Sequence, residues 1–290
     1  MGDNKGITLQ CHAKINLFLH VTGKRADGYH ELQSWVAFAE VADTMLVREA
    51  KQYHLVVQGT FASSLPFMQD NLITKAAHLL AARYNRKPNF IVELNKNLPI
   101  GAGLGGGSAN AAAMVRAMQH FWRFEWLPSD AEWLAKKLGS DVPVCLAQRS
   151  CIVTGLGDEL EAFAPMPEQH VVLVYPGVSI STKDIFDMMV PPYTQPIKDI
   201  EHMTNPENLK HLIHDTRNDL MHPAMGIEPR ILQAYRSLTR QAGCMLSRMT
   251  GSGSCCFGLF ADVETARHAA QAIRVAEPEW WVRATKFLPV

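Results

Sequence analysis

No stretch of this chain stays apolar for the roughly 20 residues a membrane helix needs, so no span is expected. The opening MGDNKGITLQ is polar and lacks the apolar core of a signal peptide, and Gly6 stands where myristoylation wants Ser or Thr. An excess of one charge is missing too. Lys plus Arg equals Asp plus Glu at 28 each, which argues against a broad nucleic-acid face and against an RNA-binding module. It leaves room for a local basic pocket. The six cysteines show no C-x-x-C pair and no regular spacing, and Cys255 and Cys256 are adjacent. They read as reduced thiols of a cytoplasmic protein. His211 and His214 lie one helical turn apart with no third ligand in view, so a solvated face is expected there rather than a metal site. Internal repeats and low-complexity tracts are absent. At 290 residues and 47% apolar the chain is an ordinary globular sequence, long enough for two cores.

What is present in excess is glycine, within residues 98 to 113, LPIGAGLGGGSANAAA. Gly101, Gly103, Gly105, Gly106 and Gly107 fall within seven positions. Glycine costs backbone entropy, so such density implies a loop that turns its N–H groups inward or lets a ligand approach the backbone. Ser108 is expected to cap the helix that follows, in which Ala111, Val115, Met118 and Trp122 recur at helical spacing. A glycine loop feeding a helix N-terminus is a ready anion site, and phosphate is the usual anion. It is not a P-loop, since no lysine follows the glycines. G-x-G-x-x-G does occur from Gly101 to Gly106, but Pro99 separates it from the strand-like FIVEL, and a second helix rather than a strand follows. Ser129 and Glu132 are expected as that second helix's capping box and Gly139 as its stop.

The rest of the chain reads in order as follows. Residues 7 to 22 alternate, which predicts a strand, with room for one bend. Lys14 and Asn16 share one face of it, either solvated or functional. Asp27-Gly28 marks a turn, with Tyr29 and His30 just after it. Further strands are predicted at 32 to 40, 44 to 49 and 53 to 58. Asp70-Asn71 caps the next helix. Asp141, between Gly139 and Pro143, is either a helix cap or a functional carboxylate. A hairpin is expected over 151 to 163, a domain boundary near 164, a strand at 170 to 176 and a short helix capped by Ser181 or Thr182. Four prolines between 190 and 208 predict a long loop or lid-like insertion. Then come helix 226 to 241, strand 244 to 249, a second glycine turn GSGS at 251 to 254, helix 262 to 275 and strand 280 to 287. Those last units suggest a ferredoxin-like αβ sandwich.

The glycine loop resembles the second motif of the galactose, homoserine, mevalonate and phosphomevalonate (GHMP) kinase superfamily. AKINL resembles the first motif of one branch, and TGSGSCCFGLF resembles the third. AKINLFLHVTGKRADGYHEL, with its DGYH segment, and GSDVPVCL resemble the branch that phosphorylates diphosphocytidyl-methylerythritol in bacterial non-mevalonate isoprenoid synthesis. The resemblance implies an α+β, two-domain GHMP kinase fold. Residues 1–164 would form an ATP-binding domain similar to a ribosomal-protein fold, and 165–290 the ferredoxin-like domain. It implies ATP and Mg²⁺, with no clear equivalent of the metal-holding glutamate of some relatives. It also implies a small-molecule substrate, no nucleic acid, no membrane, and a monomer or weak homodimer.

Carried over by residue, Pro99, Ile100, Gly101, Ala102, Gly103, Leu104, Gly105, Gly106, Gly107, Ser108 and Ala109 would hold the β- and γ-phosphates. Asn71, Lys96 and Asn110 would lie toward the adenosine end. Lys14 and Asp141 match the branch's catalytic pair. Asn16, Tyr29, His30 and Phe186 would bind substrate, with Tyr29 and Phe186 on opposite faces of the cytosine and His30 at its edge. Without the resemblance, Tyr29 reads as a surface aromatic and Phe186 as a core residue. Some relatives bind sugar and ATP as sensors without catalysis. Such a protein is expected to lack Lys14, Asp141 or the loop, and this chain has all three.

Overall fold

The computed structural model describes residues 6–65, 71–162, 168–198, 200 and 215–289. The expected histidine pair at 211 and 214, Asp70 and the expected boundary at 164 lie outside them. The chain gathers into two compact units that no single cut in sequence separates. One comprises Met1–Ala13, Ala42–Ile100 and Gly105–Gln148, the other Lys14–Val41, Gly101–Leu104 and Arg149–Val290.

Two long strands run through both units. β1 spans Ile7–Lys24 as one strand, and β2 spans His30–Glu49 where two strands are predicted. In the first unit the end of β2 pairs antiparallel with β4 (Phe90–Asn95), placing Thr44 opposite Asn95, and β4 pairs parallel with β3 (His54–Gln58). Helices α1 (Leu72–Arg83), α2 (Gly106–Trp122), α3 (Pro128–Leu138) and α4 (Asp141–Ala147) complete it. The alanine-rich α2 buries Ala111, Val115 and Met118 fully and packs on α1 and α4.

Two caps and one helix differ from expectation. α2 starts at Gly106 after Gly105 in the left-handed region (φ 63°), so Ser108 lies inside the first turn, not at the cap. α3 starts after Leu127, whose N–H donates to Asp130 Oδ2 (2.8 Å). Pro128 suits the first helical position, having no N–H to satisfy. That shifts the start forward, leaving Glu132 to pair with Lys136 on the exposed face (2.6 Å). The expected helix 226 to 241 is two, α6 (Met221–Ile227) and α7 (Pro229–Thr239). Proline drives the preceding residue extended, and Glu228 stands at φ −133°, ψ 98° between them. Gly139 ends α3 at φ 109°, and Asn71 caps α1 through Oδ1 to Ile73 N (2.9 Å), both as expected.

In the second unit the start of β2 pairs with β5 (Cys151–Thr154), which forms the expected hairpin with β6 (Glu159–Ala162). A four-stranded sheet follows, of β7 (His170–Tyr175), β8 (Cys244–Met249), β9 (Cys256–Phe260) and β10 (Trp281–Lys286), in the order β10-β7-β9-β8 with every neighbour antiparallel. With α7 before β8 and α8 (Val263–Ala276) before β10, this is the βαββαβ order of a ferredoxin-like sandwich. Val172, Val174, Ile231, Leu238, Phe260, Ala269 and Ile273 form its core. Each of the larger ones contributes about 1.5–3 kcal/mol by leaving water. The short α5 (Thr182–Asp187) is inserted after β7, capped by Ser181, whose Oγ accepts from Asp184 N (3.2 Å).

Candidate active site

Loop residues 101 to 104 are built by backbone. Ala102 O accepts from Cys255 N (3.0 Å) and Leu104 O from Lys14 N (2.9 Å), while the Ala102 and Leu104 side chains are buried. Gly103 (φ 74°) lies so close to the second glycine turn that a Cβ would stand 2.3 Å from Thr250 O and 3.0 Å from Gly253 N. Only glycine allows two main chains to approach so closely at that φ. The two glycine-rich motifs, 150 residues apart in sequence on the scale of the loop's Gly101 and the turn's Gly251, therefore meet.

In the first unit Gly106 begins α2 directly over the Lys96 side chain, whose Nζ would be 3.0 Å from a Cβ there. Gly107 is exposed, Ala109 and Asn110 are buried, and Ala109 N reaches back to Gly105 O (2.8 Å). Beneath this turn sits a residue the sequence reading missed, Asp43. Fully buried, it pairs with Lys96 Nζ through Oδ2, which also accepts from Asn110 Nδ2 (3.0 Å). Its Oδ1 accepts from Asn97 N and Leu98 N, each at 2.7 Å. Asn71 is buried at the start of α1. Asp141 is the first residue of the seven-residue α4 and half-buried.

In the second unit Lys14 and Asn16 are 5% and 4% exposed, so their strand face is not the solvated one. Lys14 Nζ donates to Asn16 Oδ1 (3.2 Å). Asn16 Nδ2 donates to Ser34 Oγ (2.8 Å), and Asn16 N to Thr250 Oγ1 (2.9 Å). Asn16 is thereby held from both sides and orients Lys14. Burial pushes the Cys151 thiol up to about 11 despite the nearby Lys14 charge, so it stays protonated and inert.

The aromatic residues also meet. His30 stacks on Phe186 with ring centres 5.3 Å apart and takes Tyr193 edge-on at 6.0 Å. Burial holds His30 below its ordinary pKa, so its ring is neutral at pH 7, and its Nε2 has no hydrogen-bond partner among the described residues. Phe186 is partly buried against the ferredoxin-like core, and Tyr29 is 65% exposed after the turn at Gly28. Tyr193 is a residue that sequence reasoning passed over. Its segment is pinned by Gln33, which exchanges two hydrogen bonds with the Ile197 backbone (2.9 and 2.7 Å), and by Thr194 N to Val21 O (3.0 Å). No local pattern announces such a docking. A groove of about 390 Å³ beside β8, lined by Arg217, Tyr235 and Cys244 among others, holds none of the expected site residues.

Comparison with known proteins gives concordant matches. The family models "GHMP kinases N terminal domain" and "GHMP kinases C terminal" match residues 71–149 and 197–277. A 4-diphosphocytidyl-2-C-methyl-D-erythritol kinase of Cereibacter sphaeroides is 43% identical over 278 residues, covering 95% of this chain and 97% of its own. The protein of that name from Rhodospirillum rubrum is 38% identical, covering 95% and 91%. A crystal structure of 4-(cytidine 5'-diphospho)-2C-methyl-D-erythritol kinase superposes with a TM-score of 0.82 at 29% identity, covering 97% of this chain and 99% of that one.

Proposed function

The chain belongs to the 4-diphosphocytidyl-2-C-methyl-D-erythritol kinase family of GHMP kinases, and from that membership we propose that it transfers the γ-phosphoryl group of ATP to the 2-hydroxyl of 4-diphosphocytidyl-2-C-methyl-D-erythritol. The products are the 2-phosphate and ADP, and the step serves non-mevalonate isoprenoid synthesis in the cytoplasm. The observation that carries the choice of substrate is the buried, neutral His30, packed between Phe186 and Tyr193, whose Nε2 has no partner among the described residues. A pyrimidine offers π-faces to stack and an edge of donors and acceptors, and this is the furniture that suits it. His30 occupies one face of Phe186, so a cytosine stacked between Tyr29 and Phe186 takes the other face or displaces the imidazole.

The phosphates would lie on the N–H groups of Gly106 to Ser108 at the start of α2, where the helix dipole favours negative charge. Asn71, Lys96 and Asn110 would flank the adenosine end, Lys96 and Asn110 from beneath through Asp43. We assign ATP binding to residues 1–164 and the second domain to 165–290. In the reaction a bond forms from the substrate oxygen to Pγ while the bond from Pγ to the bridging β,γ oxygen breaks. Asp141 orients the hydroxyl and takes its proton late, because a loose transition state needs little early deprotonation. Lys14 offsets the charge developing on the transferring group. Among the described residues no group of three or more His, Cys, Asp or Glu stands together as a metal cage. Mg²⁺ needs few protein ligands where phosphates supply the rest, so it is assigned to the nucleotide.

Among the described residues no helix is long and apolar enough to cross a membrane, and a monomer or weak homodimer is proposed. The test is ADP release coupled to a reporter, with and without the diphosphocytidyl substrate. Substrate-dependent ADP release supports the reading. Binding of both ligands without turnover would make the protein a sensor.

A further inference from the structure

We propose that Asp43 is the positioning residue that sets the span of the phosphate-binding loop, an inference resting on the kinase reading above. A buried carboxylate must find partners for its charge and lone pairs, and each partner it takes is held in place. Asp43 is fully buried and takes four. Lys96, Asn97 and Leu98 are the residues that enter the loop, and Asn110 lies one turn into the helix that leaves it. One carboxylate thus fixes the separation of the loop's two ends. It also fixes the Lys96 ammonium on which Gly106 rests, 3.0 Å from where a Cβ would be. The N–H groups offered to the phosphates start from Gly106, so moving the carboxylate moves them. A residue that served only the core would act on both ligands alike. Asp43 acts on the nucleotide end, because every partner it holds flanks that loop.

Two substitutions separate these roles in the full chain. Asp43→Asn removes the charge and sets an amide donor against Lys96 and Asn110. Asp43→Glu keeps the charge that offsets Lys96 but carries the carboxylate one methylene further. Calorimetry with a non-hydrolysable ATP analogue and, separately, with the diphosphocytidyl substrate reads the effect. The analogue's Kd should rise at least tenfold in Asp43→Asn and at least fivefold in Asp43→Glu, with the substrate's Kd within twofold of the parent. In turnover the KM for ATP should rise in step, with kcat at saturating ATP within about threefold. If Asp43→Asn binds neither ligand, Asp43→Glu decides by the same criteria. A variant that binds substrate normally and the analogue within twofold of the parent overturns the proposal. So does loss of both ligands in both variants, which would make Asp43 a determinant of the fold alone. A parent chain that fails to bind the analogue would instead refute the kinase reading.

Discussion

Gly107→Ala separates stability from ligand binding at the one loop glycine that the free protein gives no reason to keep. Gly107 is exposed in the first turn of α2, its φ is not positive, and an added Cβ would meet only Leu72 Cδ1 at an ordinary 3.5 Å. In a helix, alanine in place of glycine should stabilise by about 0.5–1 kcal/mol. For a chain of this size that corresponds to a melting temperature raised by about 1–4 °C. Phosphate at the helix N-terminus would need the surface the new methyl covers. Losing one charge-assisted N–H contact, at about 1.5–3 kcal/mol, predicts an ATP Kd raised by roughly one to two orders of magnitude. Differential scanning calorimetry and titration with an ATP analogue on one preparation give both numbers. A variant that melts higher and binds ATP as tightly as the parent would refute the seat assigned to the phosphates.

Gly103→Ala should do the opposite to stability. The left-handed φ costs roughly 1–2 kcal/mol and the overlap with Thr250 O about 1–3 more, so a melting temperature unchanged within a degree would contradict the packing of the two turns. Asp141→Asn should lower turnover by roughly two to four orders of magnitude with ATP affinity little changed, and Lys14→Met should behave alike; near-parental turnover would leave Asp141 a helix-end residue only. Tyr29→Ala should raise the substrate KM about 5- to 150-fold if a stack of about 1–3 kcal/mol is lost, while the KM for ATP stays put; an unaltered substrate KM would remove Tyr29 from the cytosine site. Burial pushes His20 down to about 4, so below its ordinary 6.5 the unfolded chain takes a proton that the folded one refuses. His20 should therefore contribute a fall of about 2 kcal/mol in stability between pH 7 and pH 5, a share that urea unfolding should find missing in His20→Gln.

The elements with local signals were legible. Period-two alternation announces β1, a glycine turn announces the hairpin of β5 and β6, and side-chain caps mark α1 and α5. The ferredoxin-like order follows once its elements are placed, because short connections leave few ways to arrange them. Asp43 shows what escapes. It lies two residues before Met45 and four before Val47, on the same buried face of β2. The polar step from Glu40 to Thr44 looks like a turn between two strands, and an acid on an apolar face makes sense only with Lys96 and Asn110 beside it, 53 and 67 residues away. Tyr193 and Gln33 escaped for the same reason, since their pairing spans 164 residues between Gln33 and Ile197. Pro229 was a legible stop, and the periodic apolar residues on either side of it concealed the break.

A loop with five glycines should be the least ordered part of the molecule, since each glycine costs about 0.5–1 kcal/mol more than alanine to hold in a helix or strand. Here it is tied at both ends and in the middle by groups that need no side chain on the loop's exposed surface. Asp43 holds residues 96 to 98 and Asn110. Cys255 N holds Ala102 O, and Lys14 N holds Leu104 O. The buried side chains of Ala102 and Leu104 anchor Gly103 between them. The ordering cost is therefore met during folding, and a phosphate seated as proposed would meet N–H groups already in place. Preorganised dipoles need no rearrangement when charge develops, which is where most electrostatic stabilisation of a transition state originates. It follows that loosening any of these ties should weaken nucleotide binding more than its distance from the nucleotide suggests. Asp43, the tie with the most partners, is where that consequence is largest.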